Sequence, residues 1–395
     1  MQGELGREMA AVRAYLDYNA SAPLLGRARE AVVAALDLAA NPSSVHQEGR
    51  NARRLIEEAR RQVAALVNAG KQHVVFTSGA TEAAATLLTP EWRMGKADLR
   101  MGRLYVCAAD HPCLLSGGRF AAEQVERIGV DGDGVLKLDE LATALAAHDK
   151  ETGLALVAVH AANNETGVIQ PIEEIAAVVR ATGGVLVLDA VQAAGRVSLD
   201  MSKPCADYLI LSAHKIGGPK GVGAIVAAAD LMMPKPLVSG GGQEKGHRGG
   251  TENLAGIAGF GAAAASALEA LPSISRIASL RDGFEATILD LVPDAVFFGR
   301  ATPRLANTSF FAIPGLKAET AQIAFDLAGV ALSAGSACSS GKVGPSHVLA
   351  AMGVDEIQGA LRVSIGQETS AQDLELFRSA LEGIAARRAG GSRAA

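Results

Sequence analysis

Aromatic residues are scarce in this chain: one Trp, four Tyr and ten Phe make up 4% of its 395 residues. Charge is nearly balanced, with 37 Lys and Arg against 42 Asp and Glu, and no basic cluster is interleaved with aromatic side chains. The chain therefore lacks both the basic patch and the stacking platforms that are typical of nucleic-acid-binding proteins. We expect no direct nucleic-acid partner.

Cysteine is also rare, with four residues at positions 107, 113, 205 and 338 and no CxxC spacing. Such scattered thiols argue against a disulfide framework and against a zinc or other metal site. The first residues lack a basic segment followed by an apolar one, and no run approaches the roughly 18 uncharged apolar residues of a membrane span. The sequence thus predicts a cytoplasmic protein with no membrane partner.

Short apolar runs alternate with helical segments between residues 26 and 265. They lie at residues 74–76, 104–106, 154–159, 185–188, 208–211 and 223–226. Continuous apolar runs are typical of a mostly parallel sheet that is covered by helices on both faces, which is an α/β architecture. The length of the chain favours two domains over a single core.

The pattern changes after residue 265. Strand-like runs at residues 307–313 and 361–365 accompany helical segments at residues 279–291 and 319–328, and a loop rich in Ser and Gly spans residues 333–345. We predict a large domain over residues 26–265 and a smaller α+β domain made of residues 1–25 and 266–395. From residue 387 onward the sequence is typical of a disordered tail.

One lysine, Lys215, stands between an apolar run and a glycine-rich turn in the motif SAHK at residues 212–215. Asp189 ends another apolar run and begins the motif DAVQ, in which Gln192 follows. A pyridoxal 5'-phosphate (PLP) enzyme needs a lysine that forms a Schiff base and a carboxylate that keeps the pyridine nitrogen protonated. Lys215 and Asp189 fit these roles, although an aspartate at a strand end also caps helices.

Polar motifs follow three other apolar runs. The turn TSGATE at residues 77–82 opens a helix, so its backbone and Thr81 form either a phosphate cradle or an ordinary N-cap. His111 either stacks on a cofactor ring and moves protons or bonds to nearby backbone. Asn164, in the motif NNETG, either faces a ligand crevice or belongs to a simple turn.

Two residues near the end of the chain are candidates for substrate chemistry. Cys338 lies among small polar residues in the motif SAGSACSSG at residues 333–341, which suits a mobile nucleophile or an inert surface thiol. Arg362 is a single cation in the strand-like motif LRVS at residues 361–364. It fits either a bidentate contact with a substrate carboxylate or a surface salt bridge.

In order and spacing these motifs resemble the cysteine desulfurases of the NifS/IscS type, which are fold-type I PLP enzymes of the class V aminotransferase family. The resemblance extends from YLDYNASAP at residues 15–23 through GGGQEKGHRGGTEN at residues 240–253 to the motif at residues 361–364. It implies a large domain with a mostly parallel seven-stranded sheet. It also implies L-cysteine as substrate, a homodimer, and a sulfur-acceptor protein such as an iron–sulfur scaffold.

The same resemblance implies which residues bind PLP. They are Lys215 as the Schiff-base lysine, Asp189 at the pyridine nitrogen, His111 stacked on the ring, Gln192 at the 3-oxygen and, around the phosphate, the Ala80 backbone, Thr81, Ser212, His214 and, from the other subunit, Thr251. Asn164 and Arg362 are implied to hold the substrate carboxylate. Cys338 is implied to take the substrate sulfur as a persulfide, which leaves alanine.

Other functions remain open at this stage. Selenocysteine lysis or another PLP reaction on the same fold uses a similar set of residues, although plain transamination has no use for Cys338. A catalytically inert scaffold needs none of Lys215, Asp189, His111 and Cys338. The chain also departs from the resemblance at Asp110, where Glu is common, and at residues 83–85, which are all Ala.

Overall fold

The computed structural model describes residues 13–335, 346–354 and 359–391. Its strands are β1 (Ala14–Tyr15), β2 (Val74–Thr77), β3 (Glu91–Met94), β4 (Ala97–Cys107), β5 (Val125–Ile128), β6 (Leu154–His160), β7 (Val185–Asp189), β8 (Tyr208–Ser212), β9 (Gly223–Ala227), β10 (Met232–Pro234), β11 (Val296–Phe297), β12 (Thr308–Ala312), β13 (Val330–Ala331), β14 (Ser333–Ala334) and β15 (Leu361–Ser364). Its α-helices are α1 (Gly26–Leu36), α2 (Gln47–Leu66), α3 (Ala80–Leu87), α4 (Pro112–Leu115), α5 (Leu138–Ala146), α6 (Ile172–Ala181), α7 (Leu254–Ala270), α8 (Ile274–Leu291), α9 (Ala318–Leu327), α10 (His347–Ala351) and α11 (Ala371–Gly391).

The largest sheet of the described residues has nine strands in the order β10-β3-β4-β6-β7-β8-β9-β2, with β5 paired to β4. Strands β5, β4, β6, β7 and β8 run parallel, whereas β9 is antiparallel to both β8 and β2. These seven strands form the predicted mostly parallel sheet, and all six apolar runs are strands in it. The other two, β3 and β10, extend β4 as an antiparallel ribbon that the apolar pattern did not predict, since three of the four residues of β3 are exposed.

Both faces of this sheet are buried, which explains why its strands are apolar at every position. In β6, Val157 and Val159 pack in one core with helices α2, α5, α6 and α7. Their neighbours Leu156 and Ala158 pack in another core with α3 and α4 on the opposite face. Because successive side chains of a strand point to opposite faces, a doubly covered strand has no exposed face that would need polar residues.

A second sheet of four strands has the order β11-β12-β15-β14 and is antiparallel throughout. Its apolar residues share a separate core with helices α8, α9 and α11 and with the N-terminal Ala14 and Leu16. In that core the rings of Phe325 and Phe377 are stacked with their centroids 5.2 Å apart. The predicted domain boundaries at residues 25/26 and 265/266 stay a prediction.

Helices α7 and α8 together form an apolar stretch, Leu254–Leu291, that is long and apolar enough to cross a membrane by composition alone. In this fold, however, α7 packs against both α1 and α2 and contributes buried residues such as Ile257 and Phe260 to the core. A Cβ at Gly261 would lie 2.5 Å from the Cα of Ala59 in α2, so only glycine permits this close helix contact.

The last helix is longer than the sequence predicts. Helix α11 continues to Gly391, so the disordered tail predicted from residue 387 is wrong for residues 387–391. Arg388, in the last turns of α11, donates from Nη1 to Asp294 Oδ1 at 2.8 Å. This ion pair joins α11 to the segment that follows α8. Because its two residues are far apart in the chain, the local composition of the tail could not predict it.

Candidate active site

A cavity of about 580 Å³ lies at the carboxyl ends of the parallel strands β4, β6, β7 and β8. This edge of a parallel sheet is where α/β proteins commonly bind ligands, because the loops after each strand converge there. Nine of the predicted site residues line this cavity: Ala80, Thr81, His111, Asn164, Asp189, Gln192, Ser212, His214 and Lys215. Two others that the structure describes, Thr251 and Arg362, do not line it.

The first turn of α3 forms one end of the cavity, with Ala80 and Thr81 in its wall. The first backbone N–H groups of an α-helix have no acceptor within the helix, so they favour an anion. Glu82 stabilises the turn through two hydrogen bonds. Its Oε2 atom accepts from Ser78 N at 2.8 Å, and its Oε1 atom accepts from Arg248 Nε at 3.0 Å. The Ala residues of α3 that depart from the family pattern include Ala83 and Ala84, which are fully buried in the core.

Ser212 and His214 line the same cavity from the end of β8. The Nδ1 atom of His214 lies 3.3 Å from Ser21 Oγ. Burial, reinforced by the charges of Lys215 and Lys220, lowers the pKa of His214 to about 4. His214 is therefore neutral at neutral pH, and it can contact a phosphate as a hydrogen-bond donor but not as a cation.

Asp189 ends β7 in the wall of the cavity and is buried. Its Oδ1 atom accepts a hydrogen bond from Val191 N at 3.0 Å. Burial and, to a smaller extent, the nearby Asp110 raise the pKa of Asp189 to about 6, against the opposing effects of His160 and Lys215. Because the pKa stays raised, the neighbouring positive charges and hydrogen bonds do not fully offset the burial of this carboxylate. A cationic group in the cavity would therefore stabilise its charged form.

The Lys215 side chain contacts backbone from the N-terminal segment. Its Nζ atom donates to the carbonyl oxygens of Asn19 at 2.6 Å and Ala20 at 2.9 Å. Asn19 is itself buried, and its Nδ2 atom donates to Thr308 Oγ1 at 2.9 Å. The sequence did not predict these contacts, although Asn19 and Ala20 belong to the motif at residues 15–23 that carries part of the resemblance.

His111 is the N-cap residue of α4, and its Nδ1 atom accepts from Cys113 N at 3.2 Å. Burial, together with the charges of Lys215 and His347, lowers the pKa of His111 to about 4. At neutral pH the ring is thus neutral and carries its proton on Nε2. In this state His111 is a hydrogen-bond donor, and it must release Cys113 N before Nδ1 can take a proton.

A buried network that the sequence did not predict lies beside the cavity. His160 donates to Asp110 Oδ1 from Nδ1 at 2.6 Å, and its Nε2 lies 3.0 Å from Gln170 Nε2. Asp110 also accepts from Cys107 N at 2.8 Å. Although Cys107, Asp110 and His160 lie close enough together to surround a cation, both ring nitrogens of His160 already have hydrogen-bond partners. The group is therefore a hydrogen-bond network that joins the ends of β4 and β6.

Arg362 is completely buried in β15, so the surface salt bridge considered from the sequence is excluded. Its Nη2 atom donates to Asp17 Oδ1 at 2.7 Å and its Nη1 atom to the carbonyl oxygen of Asn164 at 2.9 Å. Asn164 lines the cavity, and Arg362 lies directly behind it. The fold thus brings together the two residues to which the family resemblance assigns the substrate carboxylate.

Cys338 lies outside the described residues, as does most of the predicted loop at residues 333–345. The described residues on either side of this segment contact residues that are adjacent in sequence to site residues or to β15. Ser346 donates to Glu165 Oε2 at 2.5 Å, and His347 Nε2 lies 2.8 Å from the carbonyl oxygen of Asp110, the residue before His111. Gly335 donates from its backbone to Ala360 at 2.8 Å.

The three cysteines of the described residues are poor nucleophiles. Burial raises the pKa of the Cys107, Cys113 and Cys205 thiols, and nearby carboxylates add to the effect in each case. A thiol with a raised pKa is almost entirely protonated at neutral pH and therefore reacts slowly. Cys113 lines the cavity, but its environment does not suit it to attack sulfur.

The sequence profile described as "Aminotransferase class-V" matches residues 14–377. Cysteine desulfurase 1 of Trichormus variabilis is 37% identical over 374 residues, which cover 91% of this chain and 90% of that protein. The IscS-like cysteine desulfurase of Mycobacterium tuberculosis is 35% identical over 383 residues, covering 95% of this chain and 96% of that protein. The chain belongs to the cysteine desulfurase family of class V aminotransferases.

Solved structures of cysteine desulfurase relatives have the same fold. The NifS-like protein of Rickettsia africae superimposes with a TM-score of 0.84 at 30% identity, covering 94% of this chain and 99% of that one. The predicted α/β fold-type I architecture is therefore confirmed. A cysteine desulfurase of Thermococcus onnurineus has a TM-score of 0.79 at 22% identity, covering 94% of both chains, and shows the fold alone.

Members of the cysteine desulfurase family depend on PLP, so PLP is the cofactor of this chain. The residues of the cavity fit that group. PLP requires an amine, an acid opposite its ring nitrogen and an anion site for its phosphate. Lys215 supplies the amine, the uncompensated Asp189 carboxylate suits a protonated ring nitrogen, and the start of α3 suits the phosphate.

Proposed function

We propose that this protein converts L-cysteine to L-alanine and takes the sulfur on Cys338. In this reaction the substrate Cβ–S bond breaks and an S–S bond forms, so that Cys338 carries a persulfide and the substrate becomes alanine. The observation that carries the proposal is the meeting of Lys215, Asp189, His111 and Asn164 around one cavity in a member of the cysteine desulfurase family. A structural neighbour described as SspA in complex with cysteine, at 28% identity and a TM-score of 0.72, supports an amino-acid thiol as substrate.

Bound PLP supplies an electron sink for negative charge at the substrate α-carbon. We assign to Lys215 the covalent attachment of the cofactor and, once the amine is free, removal of the α-proton. The hydrogen bonds from Nζ to the carbonyl oxygens of Asn19 and Ala20, which keep the amine at the wall of the cavity, support this assignment. Asp189 keeps the ring nitrogen protonated, and Gln192 donates to the 3-oxygen.

The phosphate is assigned to the Ala80 backbone, Thr81, Ser212 and His214. We further propose a homodimer in which Thr251 of each subunit completes the phosphate site of the other. Thr251 is exposed in the single chain. The chain also exposes four large apolar residues between positions 33 and 45, the kind of surface that a partner subunit covers: Val33, Leu36, Leu38 and Val45.

His111 is assigned a place against the cofactor ring, where its Nε2–H donates a hydrogen bond. With a pKa of about 4 the His111 imidazole is neutral at neutral pH and has no extra proton to donate as an acid. It can accept the Cys338 thiol proton when Nδ1 gives up Cys113 N, a contact that is already long at 3.2 Å. This acceptance would generate the thiolate that attacks the substrate sulfur.

Arg362 and Asn164 are assigned to the substrate carboxylate. Since the Arg362 guanidinium already contacts the Asp17 carboxylate at 2.7 Å, an incoming carboxylate has to share or replace that contact.

We also propose that the persulfide passes to an acceptor protein such as an iron–sulfur scaffold. We further propose that the protein is cytoplasmic and that its domains divide at residues 25/26 and 265/266.

The affinity for PLP is expected to depend on pH through Asp189. Its pKa is raised to about 6 in the cofactor-free protein, so the carboxylate becomes protonated as the pH falls through that value. The neutral form does not stabilise a cationic ring nitrogen, and we expect the affinity to fall by up to about tenfold per pH unit below pH 6. Spectroscopic titration of the cofactor-free protein with PLP between pH 5 and pH 8 measures this effect.

Asp189→Asn is the matched variant for that titration. It should bind PLP more weakly at neutral pH and lose the part of the pH dependence that Asp189 causes. The phosphate of PLP titrates in the same range, with a pKa of about 6, but it does so equally in both proteins. Identical pH profiles for wild type and variant would contradict the assignment of Asp189.

The proposed function is tested by measuring alanine and sulfide released from L-cysteine in the presence of a thiol reductant. We expect equal amounts of the two products from a yellow purified protein. A yellow protein that is inactive on L-cysteine but releases alanine from L-selenocysteine would instead indicate a selenocysteine lyase. A colourless protein that does not take up PLP would indicate an inert scaffold.

A further inference from the structure

Arg196 is a partly buried cation that the proposed chemistry does not yet use. It follows Gln192 by four residues in a segment of turns, and its Nη1 atom donates to the Gln192 side-chain oxygen and to the Gln192 carbonyl oxygen. Its Nη2 atom donates to the carbonyl oxygens of Lys215 at 3.3 Å and Tyr18 at 3.5 Å. All of these acceptors are neutral, and no carboxylate pairs with Arg196 in the part of the chain that the structure describes.

Arg196 lies one layer behind the wall of the cofactor cavity. A second cavity of about 230 Å³ lies on its side of Lys215 and is mainly apolar, with Ile216, Ala267, Ile274 and Ile277 in its wall. Lys215 lines both cavities, whereas Gln192 lines only the first and Arg196 only the second. The guanidinium therefore contacts two residues of the cofactor site from behind without reaching the cofactor cavity itself.

We propose that Arg196 is a positioning residue that orients Gln192 and Lys215 for the cofactor and places an unpaired positive charge behind them. The proposal rests on the proposed function, in which these two residues contact PLP.

The first effect of Arg196 is on the orientation of the Gln192 amide. A guanidinium has donors only, so it selects the side-chain oxygen of Gln192 as its partner. The amide nitrogen is then turned the other way, and it donates to the Asn19 carbonyl oxygen at 3.0 Å. We assign the second N–H of this amide to the 3-oxygen of PLP. An anionic oxygen requires a hydrogen-bond donor, and this orientation of the amide supplies one.

The second effect is electrostatic. Burial and the charge of Arg362 lower the pKa of Arg196 to about 10, so the guanidinium stays charged at neutral pH. A fixed positive charge that is partly shielded from solvent disfavours a second positive charge nearby. We therefore expect Arg196 to disfavour protonation of the nitrogen that joins Lys215 to the cofactor and to favour negative charge on the 3-oxygen.

Several other charged or titratable groups surround Lys215 and also affect the protonation of the nitrogen that joins it to the cofactor. From the cofactor cavity they are Glu82, His111, Cys113, His160, Asp189, His214 and Lys220, and from the second cavity they are Tyr18 and Glu368. None of them changes in a variant at position 196. A comparison of variants at that single position therefore isolates the contribution of Arg196.

The test is a pH titration of the visible absorption band of the bound cofactor in the holoenzyme without substrate. We expect Arg196→Gln to raise the pKa of that band by about 0.5–1.5 units, because the positive charge is lost. Arg196→Lys keeps the charge but loses the forked geometry, so its pKa should stay near that of wild type while it retains PLP less well during dialysis. Arg180→Gln, at a surface arginine outside both cavities, serves as the control.

An Arg196→Gln holoenzyme that titrates like wild type would overturn the proposal. If Arg196→Gln does not fold, the lysine variant still tests it, because a pKa shift of more than about 0.5 units there contradicts the role of charge. A merely structural role would lower the melting temperature of both variants without separating their pKa values. A wild type with no visible band would refute the proposed function itself and, with it, this role of Arg196.

Discussion

The Lys215→Ala variant is expected to lose the visible band of the bound cofactor and to form alanine from L-cysteine at least about 10²–10⁴-fold more slowly. The substitution removes the amine that attaches the cofactor and the base that takes the α-proton. The cavity offers one further lysine among the described residues, Lys220. The expected loss is measured by absorption spectra of the purified protein and by alanine release.

Lys215→Arg is the control for this experiment. Arginine keeps a positive charge and can still donate to the carbonyl oxygens of Asn19 and Ala20, but it stays protonated and does not act as a nucleophile. We expect it to preserve the melting temperature better than alanine does, while its activity falls to the same level. Either variant with an unchanged spectrum and rate would show that another residue carries the cofactor.

The Cys338→Ala variant is expected to keep the cofactor band but to form no persulfide and little alanine from L-cysteine. Cys338 is remote from Lys215 and Asp189 in sequence, and its substitution changes none of the described residues that line the cavity. Without a thiol to receive it, the substrate sulfur has no acceptor on the enzyme. Alanine release, together with mass spectrometry of the protein after brief exposure to L-cysteine, measures both parts of the result.

Cys205→Ala is the matched control, because Cys205 is half-buried, lies outside the cavity and donates to the Asp200 carbonyl oxygen. We expect it to desulfurate normally. Cys107 and Cys113 should not rescue the Cys338 variant, since burial raises the pKa of both thiols. Normal desulfuration by Cys338→Ala would refute the assignment of Cys338 as the nucleophile.

The sequence alone predicted the elements that carry the cofactor site. Lys215, Asp189 and His111 each follow an apolar run, and such runs are local patterns that arise when a parallel strand is buried on both faces. The carboxyl ends of parallel strands meet at one edge, so residues far apart in sequence could be placed together without any coordinates. Nine of the predicted site residues do line one cavity.

Only the tertiary structure decided what surrounds those residues. The contacts of Lys215 with Asn19, of Arg362 with Asp17 and of His160 with Asp110 join positions that are far apart in the chain. Helix α11 continues past residue 387, and the ribbon of β3 and β10 extends the main sheet.

The sequence could predict some of these features and not others because the interactions behind them act over different separations along the chain. Apolar periodicity and turn residues reflect constraints within a few residues, which a sequence displays directly. The partner of a buried polar group is chosen by the packing of whole elements, because any donor or acceptor brought within reach can satisfy it. For this reason the sequence predicted that Lys215 and Gln192 face the cofactor, while the cation behind them, Arg196, emerged only from the folded chain.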